Sequence, residues 1–91
     1  MAWYSKYLSI YGKNFNEVSN DIISETRERL AALQSEKPLA SIVVIAYNEE
    51  QHLQACLWAL SEIKCKYPVE IIGVDNDSKD RTAEIFEASG I

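Results

Sequence analysis

Residues 41–46 read SIVVIA and residues 69–74 read VEIIGV, and these two runs decide the fold. Each is short, continuous and rich in β-branched side chains, the composition of a strand covered on both faces of a parallel sheet. Between them Leu53, Cys56, Leu57, Leu60 and Ile63 recur at helical spacing until Lys66-Tyr67-Pro68 breaks the pattern. The stretch from Tyr47 to Pro68 is long enough for the right-handed helical crossover that parallel strands require. After Asp75 a polar loop, Asn76-Asp77-Ser78-Lys79, leads to a last helix with Thr82, Ile85, Phe86 and Ser89 inward and Gly90 as its C-cap. From residue 38 the order is therefore βαβα, an α/β fold built on an incomplete parallel sheet.

Upstream, residues 1–37 read as a helical lead-in. Trp3, Tyr4, Tyr7, Leu8 and Tyr11 share one face of a helix over Ala2–Tyr11 that Gly12 ends. Lys6 and Lys13 are the charged side chains of this segment. Such a helix can dock on the rest of the protein or lie on a membrane surface; an aromatic face this short with two lysines is a weak anchor, so docking is expected. A second helix is expected over Asn16–Gln34, where Val18, Ile22, Thr26, Leu30 and Leu33 fall three or four apart and Glu25, Arg27, Glu28 and Arg29 form the solvated side. Lys37-Pro38 closes it, because the residue before proline avoids the helical region.

Composition bounds what the 91 residues can do. An apolar content of 47% describes a small folded domain or part of a larger one rather than a disordered chain. Nine Lys+Arg against fourteen Asp+Glu leave a net charge of −5, which argues against nucleic acid as a partner. The longest apolar runs, Ile42–Tyr47 and Ala55–Leu60, fall far short of the roughly 20 residues that span a bilayer. The first residues lack the aliphatic core and cleavage site of a signal peptide, so a cytoplasmic or cytoplasm-facing location is expected. Cys56 and Cys65 are too few for a disulfide framework. They read as reduced thiols, Cys56 buried on its helix and Cys65 in a connection.

Chemistry concentrates in two loops at the carboxyl ends of the strands, where open α/β sheets bind ligands. The first is Ala46-Tyr47-Asn48-Glu49-Glu50 and the second runs from Asp75 to Thr82. Neither is glycine-rich, the glycines being Gly12, Gly73 and Gly90, so dinucleotide and P-loop phosphate cradles are disfavoured. What remains is a cleft of carboxylates and amides. Tyr47 offers a face for stacking on a base, Asp75 can accept from a ribose hydroxyl or ring N–H, and Asn76 can accept and donate. A diphosphate would be repelled by Asp75, Asp77 and Asp80 unless Mg²⁺ or Mn²⁺ intervened. Plainer readings stand beside these. Ser78 and Asp80 suit helix N-capping, and Tyr47-Asn48 suits a turn followed by Glu49 and Glu50 in an acidic first helical turn. His52 has no visible partner in the sequence. Trp58 falls off the Leu53/Leu57/Leu60 face and suits the sheet's rim or a contact patch.

The stretch PLASIVVIAYNEEQHLQACLWAL resembles the opening of the family 2 glycosyltransferases, whose first strand ends in a P-A-Y-N-E-like loop. IIGVDNDSKDRTAEIFEASGI resembles their second motif, V-D-D/N-x-S-x-D-x-T. The resemblance covers residues 38–91, with departures at Ile45, where many members have proline, at Asp77, where glycine or asparagine is common, and at Lys79, where threonine is common. It implies the amino-terminal nucleotide-binding part of a GT-A, Rossmann-like domain, preceded by the two helices of the lead-in. It implies that Ala46, Tyr47 and Glu49 line a nucleoside pocket and that Asp75 and Asn76 contact base and ribose. It further implies transfer of a sugar from a nucleotide-diphosphate donor, UDP-linked, to an acceptor hydroxyl on a sugar or glycan, with Mg²⁺ or Mn²⁺. In similar enzymes a later D-x-D motif holds metal and diphosphate, and a later acidic residue is the general base. Asp75-Asn76-Asp77 has the D-x-D spelling but belongs to the second motif, and no candidate sits in the expected later position, so no catalytic or metal-binding residue is assigned and these 91 residues alone are expected to be inactive. The rival reading is a non-catalytic α/β interaction module, whose incomplete sheet and aromatic helix predict self-association. A receiver-like domain fits less well, since Tyr47-Asn48 stands where an acidic pair would be needed.

Overall fold

A computed structural model describes residues 4–91 and gives the order α1 (Tyr4–Ile10), a 3-10 turn (Phe15–Glu17), α2 (Asn20–Leu33), β1 (Ala40–Ala46), α3 (Leu53–Ser61), β2 (Val69–Asp75) and α4 (Thr82–Ser89). The α/β class and the βαβα order are as the periodicity predicts. The expected start of the first helix at Ala2 and the place of Trp3 on its face lie outside the described residues. β1 and β2 pair in parallel with Ala40 opposite Val69 and Ala46 opposite Asp75, so the two strands end level. That shared end is what brings the two polar loops together.

The second predicted helix is split. Val18 is extended and Ser19 caps α2, its hydroxyl accepting from the Ile22 N–H at 3.3 Å. The apolar rhythm runs through the break because Val18 and Leu30 serve different clusters. Leu30, Ala46, Leu53, Leu57, Ile71, Ile85 and Phe86 form the main core between sheet and helices. Ile10, Val18, Ala55 and Trp58 form a second one beneath α1. The first helix thus docks on α3, and Trp58 is the contact patch it docks on rather than a cover for the sheet's rim. Lys6 lies 5.8 Å from the Trp58 ring and pairs with Glu25 of α2 at 3.2 Å. Arg29 adds Glu25 (2.8 Å) and Glu62, tying α2 to the end of α3. α3 ends at Ser61, so Ile63, expected within the helix, lies beyond it and is exposed.

Two expectations about burial are corrected. The strands are covered on one face, not both. Val43 and Ile45 are 51% and 69% exposed, with Ile72 and Val74 beside them in register. The described helix contacts with the sheet fall on the inner face, where Ile71 is buried and the Phe86 ring lies on Gly73. Continuous β-branched sequence marks a strand that wants two covers, but whether the second cover is supplied is not a local property. Cys56 is the other correction: it is exposed, although nearby atoms are dense enough to push its thiol pKa up. It lines a surface cleft with Val44, Ile45 and His52. Both cysteines are free.

One glycine is required by contact rather than by backbone angle. A Cβ on Gly73 would stand 2.4 Å from Cδ1 and 2.7 Å from Cε1 of Phe86. The missing side chain is what lets α4 settle flat on β2. At the other end of β2, the Gln34 carboxamide imitates a strand neighbour: it accepts from the Ile71 N–H at 2.8 Å and donates to the Ile71 carbonyl at 3.0 Å. Ser35 N–H adds a bond to the Val69 carbonyl at 2.8 Å, so part of that sheet edge is satisfied without another strand.

Candidate nucleoside site at the strand tips

The Asn76 N–H donates to the Ala46 carbonyl at 2.8 Å, continuing the ladder one step past the strands. Tyr47 therefore leaves β1 directly beside the point where Asp75 and Asn76 leave β2. Tyr47 is 55% exposed, and Glu49, Asp75 and Asn76 are exposed as well. Ala46 differs: its side chain is buried in the main core, and only its edge borders the site. The Asp75 Oδ1 accepts from the Ser78 N–H at 3.3 Å.

The second motif's Ser, Asp and Thr turn out to be lashings. Asn48 N–H donates to Ser78 Oγ at 2.9 Å, and Lys79 N–H donates to Asn48 Oδ1 at 2.7 Å. Glu49 N–H donates to Thr82 Oγ1 at 2.9 Å, and Glu50 N–H to Asp80 Oδ2 at 3.2 Å. Asp80 Oδ1 accepts from both the Thr82 N–H (3.0 Å) and the Thr82 hydroxyl (2.5 Å). The capping reading of Asp80 is thus correct at one oxygen and incomplete at the other. Ser78 caps nothing; it serves the opposite loop. Sequence reading had no signal for these pairings, which cross between segments 30 or more residues apart. They fix four backbone N–H groups of two loops that would otherwise be left to water.

Each loop also turns through a left-handed residue, Asn48 at φ 50° and Asp77 at φ 59°. Asn and Asp tolerate this region better than other side chains that carry a Cβ. The φ at position 77 accounts for the departure noted in the sequence, because glycine or asparagine would meet the same demand. Asp77 itself is exposed and pairs with Lys79 at 3.3 Å.

Glu49 and Glu50 precede α3 rather than forming its first turn. Glu49 is held by His52, whose Nδ1 lies 2.8 Å from Glu49 Oε2, and the His52 ring packs against Tyr11 of the lead-in at 4.7 Å between centroids. Of these two neighbours of His52, Glu49 is local in the chain and Tyr11 comes from the lead-in. Ala46, Glu49, His52 and Cys56 border a cleft of about 240 Å³ with Val44, Ile45 and Leu53. Tyr47, Asp75 and Asn76 stand outside it on the open side of the tips. A larger recess of about 710 Å³, lined by Gln34, Lys37, Lys66 and Tyr67 among others, lies at the amino ends of the strands. That is the wrong end for ligand binding in an open α/β sheet.

Among the described residues no three His, Cys, Asp or Glu side chains gather to hold a metal ion. The Asp77 carboxylate is exposed and paired with Lys79 at 3.3 Å. The residues present therefore do not fit a divalent cation, and no step is assigned to one. No described helix is long and apolar enough to cross a membrane.

Asp80 supplies a pH signature. Burial alone would raise its carboxyl, but hydrogen bonds from the Thr82 hydroxyl and N–H and from the Glu50 N–H outweigh it and hold the pKa below 3.8. Glu25 behaves alike: burial raises it, and the bond from Lys6 with the charges of Arg29 and Lys6 carries it below 4.5. A carboxyl whose pKa is lower folded than unfolded contributes stability that is complete above the unfolded value and lost as pH falls through the folded one. Thermal stability should stay level from about pH 7 to 5 and fall below about pH 4, and Asp80→Asn should flatten part of that fall.

A βαβα unit with two parallel strands and lashed, acidic, glycine-poor loops at its strand tips is an incomplete Rossmann-like α/β arrangement without the glycine-rich cradle of dinucleotide or P-loop sites. Residues 41–89 match the family model "Glycosyl transferase family 2", and the chain belongs to that family. Over 54 residues it is 39% identical to the glycosyltransferase AglE of Haloferax volcanii, covering 58% of this chain and 18% of that protein. The chain thus spans about a fifth of the length of the curated relative it matches. No solved structure matches it.

Proposed function

We propose that this chain provides the nucleoside half of the donor site of a sugar transferase. The observation that carries the reading is the level ending of β1 and β2, which sets Tyr47 beside Asp75 and Asn76 with all three side chains open to solvent. Tyr47 stacks on the base, Asp75 accepts from a ring N–H or ribose hydroxyl, and Asn76 completes the polar edge. Glu49, steadied by His52, and Ala46 border the small cleft outside which Tyr47, Asp75 and Asn76 stand, and that cleft is proposed as the remainder of the nucleoside pocket. The donor is a nucleotide-diphosphate sugar, taken as UDP-linked, and the acceptor is a hydroxyl of a sugar or glycan. Mg²⁺ or Mn²⁺ is the ion proposed for the whole protein, with no ligand to it assigned in this chain. Residues 1–37 are proposed as lead-in and 38–91 as the nucleotide-binding part; by themselves these 91 residues bind weakly and do not catalyse. Two free cysteines accord with a cytoplasmic or cytoplasm-facing location. In calorimetric titrations of the chain with UDP, Asp75→Ala should weaken binding by about tenfold, the value of one charge-assisted hydrogen bond. Equal affinity of the variant and the parent would remove Asp75 from the site.

The bare outer face of the sheet favours a second reading, assembly between copies. Val43, Ile45, Ile72 and Val74 form an apolar strip that a parallel sheet ordinarily covers. A second copy laid on this strip is the proposed cover in isolated solutions of the chain. Light scattering should give a mass above 10.3 kDa, and Ile45→Lys should return it to that value. A monomer at high concentration would dispose of the assembly reading.

A further inference from the structure

The segment Tyr11–Phe15 lies outside the residues that match the family, yet it touches both site loops from behind. Gly12 N–H donates to the Gln51 carbonyl at 2.7 Å, and Phe15 N–H donates to Glu50 Oε2 at 3.1 Å. The Phe15 ring lies 4.8 Å from the Arg81 guanidinium, at the start of the helix that follows the second loop. Glu50 is thus gripped twice: its carboxylate by the lead-in and its N–H by Asp80 of the second loop.

We propose that Phe15 is a positioning residue for the nucleoside site, bracing the two loops in the lashed arrangement through Glu50 and Arg81. Phe15 acts by holding the loops that form the proposed nucleoside corner. The half-buried ring packs against the main core on one side and under Arg81 on the other, so one residue of the lead-in fixes the spacing of both loops to the sheet. The brace extends the nucleoside-site reading to a segment that the family's own motifs leave unassigned.

The test separates loosening of the loops from loss of fold and from loss of ligand. The amides of Asn48, Glu49, Glu50 and Lys79 report the lashings, and the amides of the β1–β2 ladder report global stability. Phe15→Leu keeps apolar packing but has no ring face for Arg81, and Phe15→Tyr keeps the ring. In Phe15→Leu the four loop amides should exchange about tenfold faster than in the parent while the ladder amides hold their rates, and UDP affinity should drop by a similar factor. Phe15→Tyr should restore both. Unchanged loop exchange in Phe15→Leu, or acceleration matched by the ladder amides, would overturn the brace. If the parent does not bind UDP while Phe15→Leu still loosens the loops selectively, the brace stands and the nucleoside reading falls.

Discussion

Replacing Gly73 with alanine is expected to cost about 1–3 kcal/mol, and with valine more, because there is no space between β2 and the Phe86 ring. The added Cβ meets ring carbons at 2.4 and 2.7 Å, and the ring belongs to a side chain only 5% exposed in the main core. It can yield only by lifting α4 or leaving a favoured rotamer. A chain of 91 residues has a total stability on the order of 5–14 kcal/mol, so this one methyl takes a large share of it. The melting temperature should fall by roughly 4–8 °C for each kcal/mol lost. Phe86→Leu in the Gly73→Ala background should recover part of the loss, the sign of a direct contact in a double-mutant cycle. A Gly73→Ala protein as stable as its parent would show that α4 does not sit on β2 as described.

The second large effect is expected at Thr82, which is fully buried and serves both loops with one oxygen. Thr82→Val keeps the shape and removes the hydroxyl. The Glu49 N–H then loses its acceptor and Asp80 loses its shortest donor. An orphaned buried donor costs about 1–3 kcal/mol, and the lost bond to an ionised carboxylate adds to that. Thr82→Ser, which retains the hydroxyl, should be milder by most of this amount. Stability should be read by denaturant midpoint, where an unchanged slope means that the folded state alone was altered. Since the two loops are the proposed nucleoside site, UDP affinity should fall in Thr82→Val and survive in Thr82→Ser. Full stability in Thr82→Val would mean that water replaces the hydroxyl and that the lashings are incidental.

These two positions mark where sequence reading succeeds and where it stops. The βαβα order was legible because runs such as SIVVIA and the helical spacing from Leu53 to Leu60 are local signals of period. The left-handed turn at Gly12 and the C-cap at Gly90, with φ of 83° and 76°, were legible for the same reason. That Tyr47 and Asn76 leave neighbouring strand ends followed from two loops at the ends of two parallel strands. Burial was not legible. SIVVIA has the same letters whether its second face is covered or bare, and Cys56 shares the spacing of Leu53 and Leu60 while pointing elsewhere. The split at Val18 was hidden because two separate clusters happened to keep one rhythm. The lashings through Ser78, Asp80 and Thr82 were hidden for a deeper reason: each joins groups far apart in the chain, and helix capping explained the same residues locally. Asp80 does cap, with one oxygen, while its other oxygen does the unpredicted work.

Titrating the isotope-labelled chain with UDP while following every backbone amide by NMR tests the donor-site account most directly. The account predicts saturable shifts at Tyr47, Glu49, Asp75 and Asn76, with little change around Lys37 and Tyr67 at the far ends of the strands. Shifts clustered at that far recess, or none anywhere with UDP in large excess, would contradict it.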